Sequence, residues 1–186
     1  MKKHLFFLIV LLCPLFLFSQ KAESILIGDF FAGGVVFWLD GNGSGLVCAI
    51  TDQEINRDNT LKWGCMNNDI DGADDTIIGT GKQNTIDIVA DCNTTGIVAD
   101  VCSKLSLNGY EDWFLPSKDE LNEMYLNKAA IDARAIAMGG TGFGRNFYWS
   151  STEYDTEKAY WQYFLNGVQE KDDKRVALNV RAVRAF

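Results

Sequence analysis

Seven consecutive residues, Asp69-Ile70-Asp71-Gly72-Ala73-Asp74-Asp75, place four carboxylates around one glycine. Calcium takes several oxygen ligands at once, and a glycine lets the loop turn tightly enough to present them. Asp69, Asp71, Asp74 and Asp75 are therefore the candidate ligands of a calcium ion, the one cofactor this sequence suggests. The segment is not an EF-hand loop, because the downstream glutamate is missing and no helical pattern precedes it. A solvated loop whose Asp and Asn side chains only close turns would have the same composition.

Imidazole chemistry is excluded on firmer ground. The only histidine is His4, in an N-terminal segment that reads as a removable leader. Neither a Ser-His-Asp nor a Cys-His arrangement, nor a His-ligated metal, can be built from the remainder. Carboxylate chemistry stays open. Two of Glu111, Asp112, Glu120 and Glu153 would make a glycan hydrolase if they faced each other across a cleft about 5–10 Å wide, with one pKa raised. The glycine-rich run Gly139 to Asn146 follows no strand pattern and lacks the Lys-Ser/Thr of a phosphate cradle. It reads instead as a mobile recognition loop, so Arg145, Asn146, the neighbouring Tyr148 and Tyr154 are the candidate ligand contacts. Most of the aromatic series from Phe147 to Phe164 is expected in the core, with one ring of each adjacent pair turned outward by strand alternation.

Export sets the chemical context. Lys2 and Lys3, the apolar run Leu5 to Phe18 and the Ser19-Gln20 boundary form a signal peptide, residues 1–19. The run is short for a membrane span, which needs about 20 apolar residues, and Pro14 interrupts it. Cys13 follows Val10-Leu11-Leu12 and so lacks the small residue that a lipidated cysteine requires. The expected product is periplasmic, cell-surface or extracellular, with one domain over residues 25–186. Without Lys2 and Lys3, 15 basic residues stand against 25 acidic ones, a net charge of −10. Such a field repels nucleic acid and anionic lipid and leaves an extracellular glycan or protein as the partner. Four cysteines remain, Cys48, Cys65, Cys92 and Cys102, and an exported chain is expected to oxidise them to two disulfides. Spacing leaves all three pairings open. A four-thiolate zinc site is disfavoured by the absence of any Cys-x-x-Cys pair.

The elements that must position these groups follow from periodicity. Val35 to Leu39 and Leu46 to Ile50 flank Asp40-Gly41-Asn42-Gly43-Ser44-Gly45, which predicts a hairpin. Residues 53 to 84 are polar and predict a long ordered loop. A short helix is predicted near Thr85 to Ala90 and a clearer one from Gly96 to Leu107, where Ile97, Val98, Val101, Cys102 and Leu105 share a face. Ser117-Lys118-Asp119-Glu120 is a capping box that starts a helix over about Lys118 to Asn127. Phe147 to Ser151 predicts a strand, Asn166-Gly167 joins two more, and Val176 to Arg181 alternates as a last one. Strands, then helices, then an antiparallel set define an α+β fold.

Leu107-Asn108-Gly109-Tyr110-Glu111-Asp112-Trp113-Phe114-Leu115-Pro116-Ser117 with Glu120-Leu121 resembles the "GGYsDWRLPTxxEL" signature of the Lcl C-terminal domain family, a family of unknown function. Tyr148 to Thr152, Ala159-Tyr160-Trp161 and Val180-Arg181-Ala182-Val183-Arg184 resemble its "YWSST…AW…VRxVR" ending. The resemblance implies a C-type-lectin-like fold, two main helices packed on small antiparallel sheets with long loops. It also implies extracellular binding, since the namesake is the terminal domain of a collagen-like adhesin that binds sulfated polysaccharide. The acidic charge argues against carrying that polyanion specificity over. Phe114 stands where the family usually has Arg, and Ala182 where many relatives have a Cys that closes onto the first helix. The resemblance therefore implies that Cys102 finds another partner, expected to be Cys48, with Cys65 joined to Cys92. The fold is also similar to that of formylglycine-generating enzymes, whose catalytic cysteine pair has no counterpart here. The expected function is a secreted, non-enzymatic binding or adhesion module; the alternatives are the carboxylate hydrolase and a purely structural envelope component. Arg181 and Arg184 are expected to form ion pairs with Glu111 or Asp112.

Overall fold

Two apolar runs separated by a reversal signal organise one end of the molecule, seen in a computed structural model that describes residues 24–54 and 60–186. The expected signal peptide lies outside the described residues. β1 (Phe30–Phe31), β2 (Gly34–Leu39) and β3 (Gly45–Cys48) pair antiparallel, and β9 (Val183–Ala185) adds to β3 in the order β1-β2-β3-β9. Between β2 and β3, Asp40 closes the turn by accepting the N–H groups of Asn42 (2.7 Å) and Ser44 (3.0 Å). Strand alternation feeds two cores. Val36 and Val47 join Trp63, Ile88, Cys102 and Trp149, whereas Val35, Phe37 and Cys48 join Met124, Ile131, Tyr148 and Phe164. The sheet is thus buried on both faces, which is why β2 reads as a continuous apolar run.

Helices supply the opposing surfaces. α1 (Gly81–Asp91) and α2 (Val98–Ser103) contribute Ile88, Val98 and Cys102 to the first core. α3 (Lys118–Leu126) and α4 (Lys128–Ala137) contribute Leu121, Met124 and Ile131 to the second. The capping box forms as predicted: Ser117 Oγ accepts from Glu120 N, and Glu120 Oε2 accepts from Ser117 N at 2.8 Å. A Ser at that position contributes about 1 kcal/mol. β5 (Phe147–Glu153), β6 (Lys158–Tyr163) and β7 (Gln169–Asp173) make a second antiparallel sheet, and β4 (Leu61–Lys62) with β8 (Ala177–Leu178) a third. Gly167, at φ 80°, turns β6 toward β7, and any Cβ there would run into the Tyr125 ring.

The fold is α+β, as expected, and among the described residues a fourth helix, α4, joins the three that periodicity and the capping box predict. α4 carries no start signal, because the side chain of Asn127 donates to Phe37 O (3.0 Å) and Glu123 O (3.2 Å) instead of accepting from the helix start. α2 is shorter than predicted, since Leu107 turns to pair with Tyr110. The expected last strand breaks into β8 and β9, and Val180, Arg181 and Ala182 between them are all buried.

Cys65 and Cys92 are disulfide-bonded, as the resemblance implied. The Cys48–Cys102 pairing is not formed; both thiols are free and buried. Cys48 faces the core of α3 and α4, while Cys102 on α2 faces the other, so the sheet itself stands between them. Burial pushes the Cys48 thiol up to about 12 and Cys102 higher still, which keeps both protonated and unreactive.

Candidate functional site

The glycine-rich loop after α4 is anchored at its root. Gly140 N donates to Ala135 O and Thr141 N to Ile50 O, both at 2.8 Å, and Phe143 N donates to Asp132 Oδ1 at 2.7 Å. The Phe143 ring is buried, stacked on Phe164 with centroids 4.3 Å apart and edge-on to Tyr148 at 5.2 Å. The Arg181 guanidinium covers its other approach, 4.0 Å from the ring centroid. Arg181 has no exposed side-chain surface and binds Asp52 at 2.7 Å. The second Asp52 oxygen accepts from Tyr148 Oη (2.9 Å) and Asn179 Nδ2 (3.1 Å). This network ties the end of the first hairpin, β5, the C-terminal segment and the loop together. Beyond Phe143 the loop is open at Gly144, Arg145 and Asn146.

That opening borders a groove of about 710 Å³. Tyr125, Phe143 and Phe164 form its aromatic depth, with Tyr125 edge-on to Phe164 at 5.9 Å. Leu126 (64 % exposed) and Ala129 rim it from the α3–α4 junction, and Leu165 (50 % exposed) and Arg145 from the opposite side. Lys128 and Asp132 also line it and form an ion pair with each other. The other described arginines, Arg134, Arg175, Arg181 and Arg184, pair with Asp29, Asp173, Asp52 and Asp112. Arg145 is the one described arginine without a carboxylate partner.

Among the four candidate ligand contacts, only Arg145 lines this groove. Asn146 is exposed beside it, and its carbonyl accepts from Phe164 N at 3.0 Å. Tyr148 is corrected to a core residue: its ring is fully buried and its hydroxyl is held by Asp52, with burial raising its pKa. Tyr154 is exposed, but the seven residues of β5, roughly 20 Å of strand, separate it from Arg145. Its ring instead carries the Lys171 ammonium at 3.8 Å.

The four candidate calcium ligands are not gathered at one point among the described residues. Asp69, Asp71, Asp74 and Asp75 are exposed while Ile70 and Ala73 between them are buried. The backbone of the segment is spent on the core: Ile70 N donates to Glu153 Oε2, Glu153 N to Ala73 O, and Asp75 O accepts from Asn84 Nδ2 and Thr152 Oγ1. No three acidic, cysteine or histidine side chains converge on a metal position among the described residues. Alternation along an irregular loop anchored through its apolar residues turns the carboxylates to solvent rather than onto one point.

Three of the four hydrolase carboxylates are engaged in structure, while Glu111 is exposed and accepts from Ser106 Oγ at 3.4 Å. Asp112 pairs with Arg184, as predicted, whereas Arg181 turns to Asp52. Glu120 accepts from Ser117 N and from Gly79 N at 2.8 Å each, inside the capping box. Glu153 pairs with Lys174, whose side chain has no exposed surface and lies 4.7 Å from the centre of the Trp63 ring. Burial raises the pKa of both Glu120 and Glu153, which reflects enclosure among structural donors.

A mixed α+β domain with sheets buried by paired helices, and one aromatic groove at the α3–α4 junction, is the class these features define. The chain belongs to the Lcl C-terminal domain family, whose model matches residues 51–184. The match starts after β3 and ends inside β9, so the first three strands precede it and close the same sheet. No curated protein matches the chain. The groove residues Tyr125, Leu126, Lys128 and Asp132, the part-buried Asp52 and the buried Lys174 escaped sequence reasoning because no local spacing marks them.

Proposed function

We infer that this domain is an exported recognition module, non-enzymatic, which binds a surface glycan or protein in the groove beside the glycine-rich loop. One observation carries the reading: a concave site of about 710 Å³, apolar in its depth with a few polar groups at its rim. Sites for small ligands or single anchoring side chains have this size and composition. The basic leader and the Cys65–Cys92 bond support an oxidising compartment outside the cytoplasm. The acidic charge disfavours polyanions as partners. Paired helices on small antiparallel sheets, with the ligand side formed by a long loop, fit the lectin-like architecture that the family resemblance implies. Each candidate catalytic carboxylate with a raised pKa has a structural partner, which favours binding over hydrolysis.

The test is saturable binding of the purified protein to cell surfaces and to a glycan array. Ala129→Trp fills the groove from an exposed rim position and is expected to abolish binding with the melting temperature unchanged. Tyr154→Ala, at the far end of β5, is expected to leave it intact. The reverse pattern would move the site to the Tyr154 end of the second sheet.

A further inference from the structure

We propose that the groove receives the C-terminal end of a partner polypeptide, an apolar last residue whose free carboxylate lies against Arg145. The proposal rests on the groove being the binding surface and adds the chemistry of its occupant. Charge is the first argument. Lys128 and Asp132 neutralise each other on one side, and Asp132 also accepts from Phe143 N, so the rim keeps one uncompensated charge, the Arg145 guanidinium. In a chain with 25 acidic and 17 basic residues, where every other described arginine has a carboxylate beside it, that vacancy calls for an anion from outside. A guanidinium binds a carboxylate through two parallel N–H donors.

The lining selects what the carboxylate is attached to. Leu126 and Leu165 present open aliphatic surface, whereas the Phe143 and Phe164 rings are 5 % and 1 % exposed. Of the three rings in the groove only Tyr125 is part-exposed, so aliphatic walls supply most of the open lining and suit an apolar side chain. A chain end supplies both anchors from a single Cα, the carboxylate and the side chain. An internal Asp or Glu supplies the charge alone.

The experiment titrates the protein with N-acetyl-Leu-Phe bearing a free carboxylate, with its C-terminal amide, and with glucuronic acid, followed by backbone amide NMR. The free acid is expected to shift Phe143, Gly144, Arg145 and Leu165 and to bind at least tenfold more tightly than the amide. Arg145→Gln is expected to erase that preference, and Leu165→Ser to weaken acid and amide together. Equal binding of acid and amide, or a preference that survives Arg145→Gln, would overturn the proposal. Tighter binding of glucuronic acid at the same amides would overturn the peptide identity and keep the carboxylate. Silence from all three probes, alongside surface binding that Ala129→Trp abolishes, would sink the chain-end proposal while leaving the groove in place. Surface binding unaffected by Ala129→Trp would remove both.

Discussion

Two stretches of irregular backbone dominate the surface, the acidic segment between β4 and α1 and the glycine-rich loop between α4 and β5, and they are held in opposite ways. The first is pinned along its length. Cys65 is bonded to Cys92, Lys174 donates to Asn68 O at 2.9 Å and pairs with Glu153, and Ile70 and Ala73 are buried. The second is fixed at its root by Asp52, Arg181 and Phe143 and then left open at Gly144 and Arg145. Richness in carboxylates or glycines therefore does not locate a site. What does is the point where a rigid root gives way to side chains that the fold has not already used.

The largest expected effect breaks the pinned stretch. Lys174→Met removes a charge with no exposed surface and leaves Glu153 enclosed without its counter-ion. Losing one member of a buried pair costs about 3–5 kcal/mol. Thermal or urea unfolding should show it, and Lys174→Met combined with Glu153→Met should recover most of the loss, since apolar replacement of both charges is often neutral. A single-variant cost below about 1 kcal/mol would mean that water reaches the pair and that the first stretch is not held as described.

Next comes the covalent tie. Cys65 and Cys92 are 27 residues apart, and a loop of that length is restricted in the unfolded chain by about 3–4 kcal/mol. Replacing both with Ala should lower stability by that order without changing binding at the groove, because Arg145 and Leu165 belong to the other stretch. Binding that falls in step with stability would show that the two stretches are coupled.

Asp52→Asn tests the root of the open loop. The substitution keeps the shape but leaves the buried Arg181 guanidinium without its carboxylate, at a cost of about 2–3 kcal/mol, reduced because Asp52 keeps some solvent contact. Hydrogen exchange should rise first at Thr141 and Phe143, whose backbone bonds hang from this root. Uniform exchange across the molecule would instead assign Asp52 to global stability.

How much of this was legible depends on how local each cause is. The Ser117–Glu120 box and the first hairpin are written within a few residues, and both form; at Asn166-Gly167 the reversal forms but spans residues 164–167 rather than two, since Tyr163 N donates to Val168 O across it. α4 was invisible because its start, Asn127, spends its amide on Phe37 of another strand, and Ile136 and Met138 face solvent where a helical pattern would bury them. The Cys102 partner depended on which side of β3 each sulfur faces, a fact of packing that spacing does not carry. Arg181 finds its carboxylate 129 positions away. The groove escaped for the same reason: it is assembled from positions 125–132, 143–145 and 164–165, three segments that each look ordinary alone.

The smallest effect is the sharpest test of the contrast. Leu165 is an apolar side chain left half exposed beside the fully buried Phe164; the pinned stretch covers Ile70 and Ala73 but leaves Ile77 61 % exposed, so exposure alone does not mark a binding surface. If Leu165 belongs to a binding surface, the fold gains little from it. Leu165→Ser should then change stability by no more than about 0.5 kcal/mol, as exposed substitutions do, while weakening whatever the groove binds. A loss of several kcal/mol would mean that Leu165 shields Phe164 and that the hollow is a thin place in the core. The two loops would then differ only in how they are tied down, and recognition would have to be sought on another face.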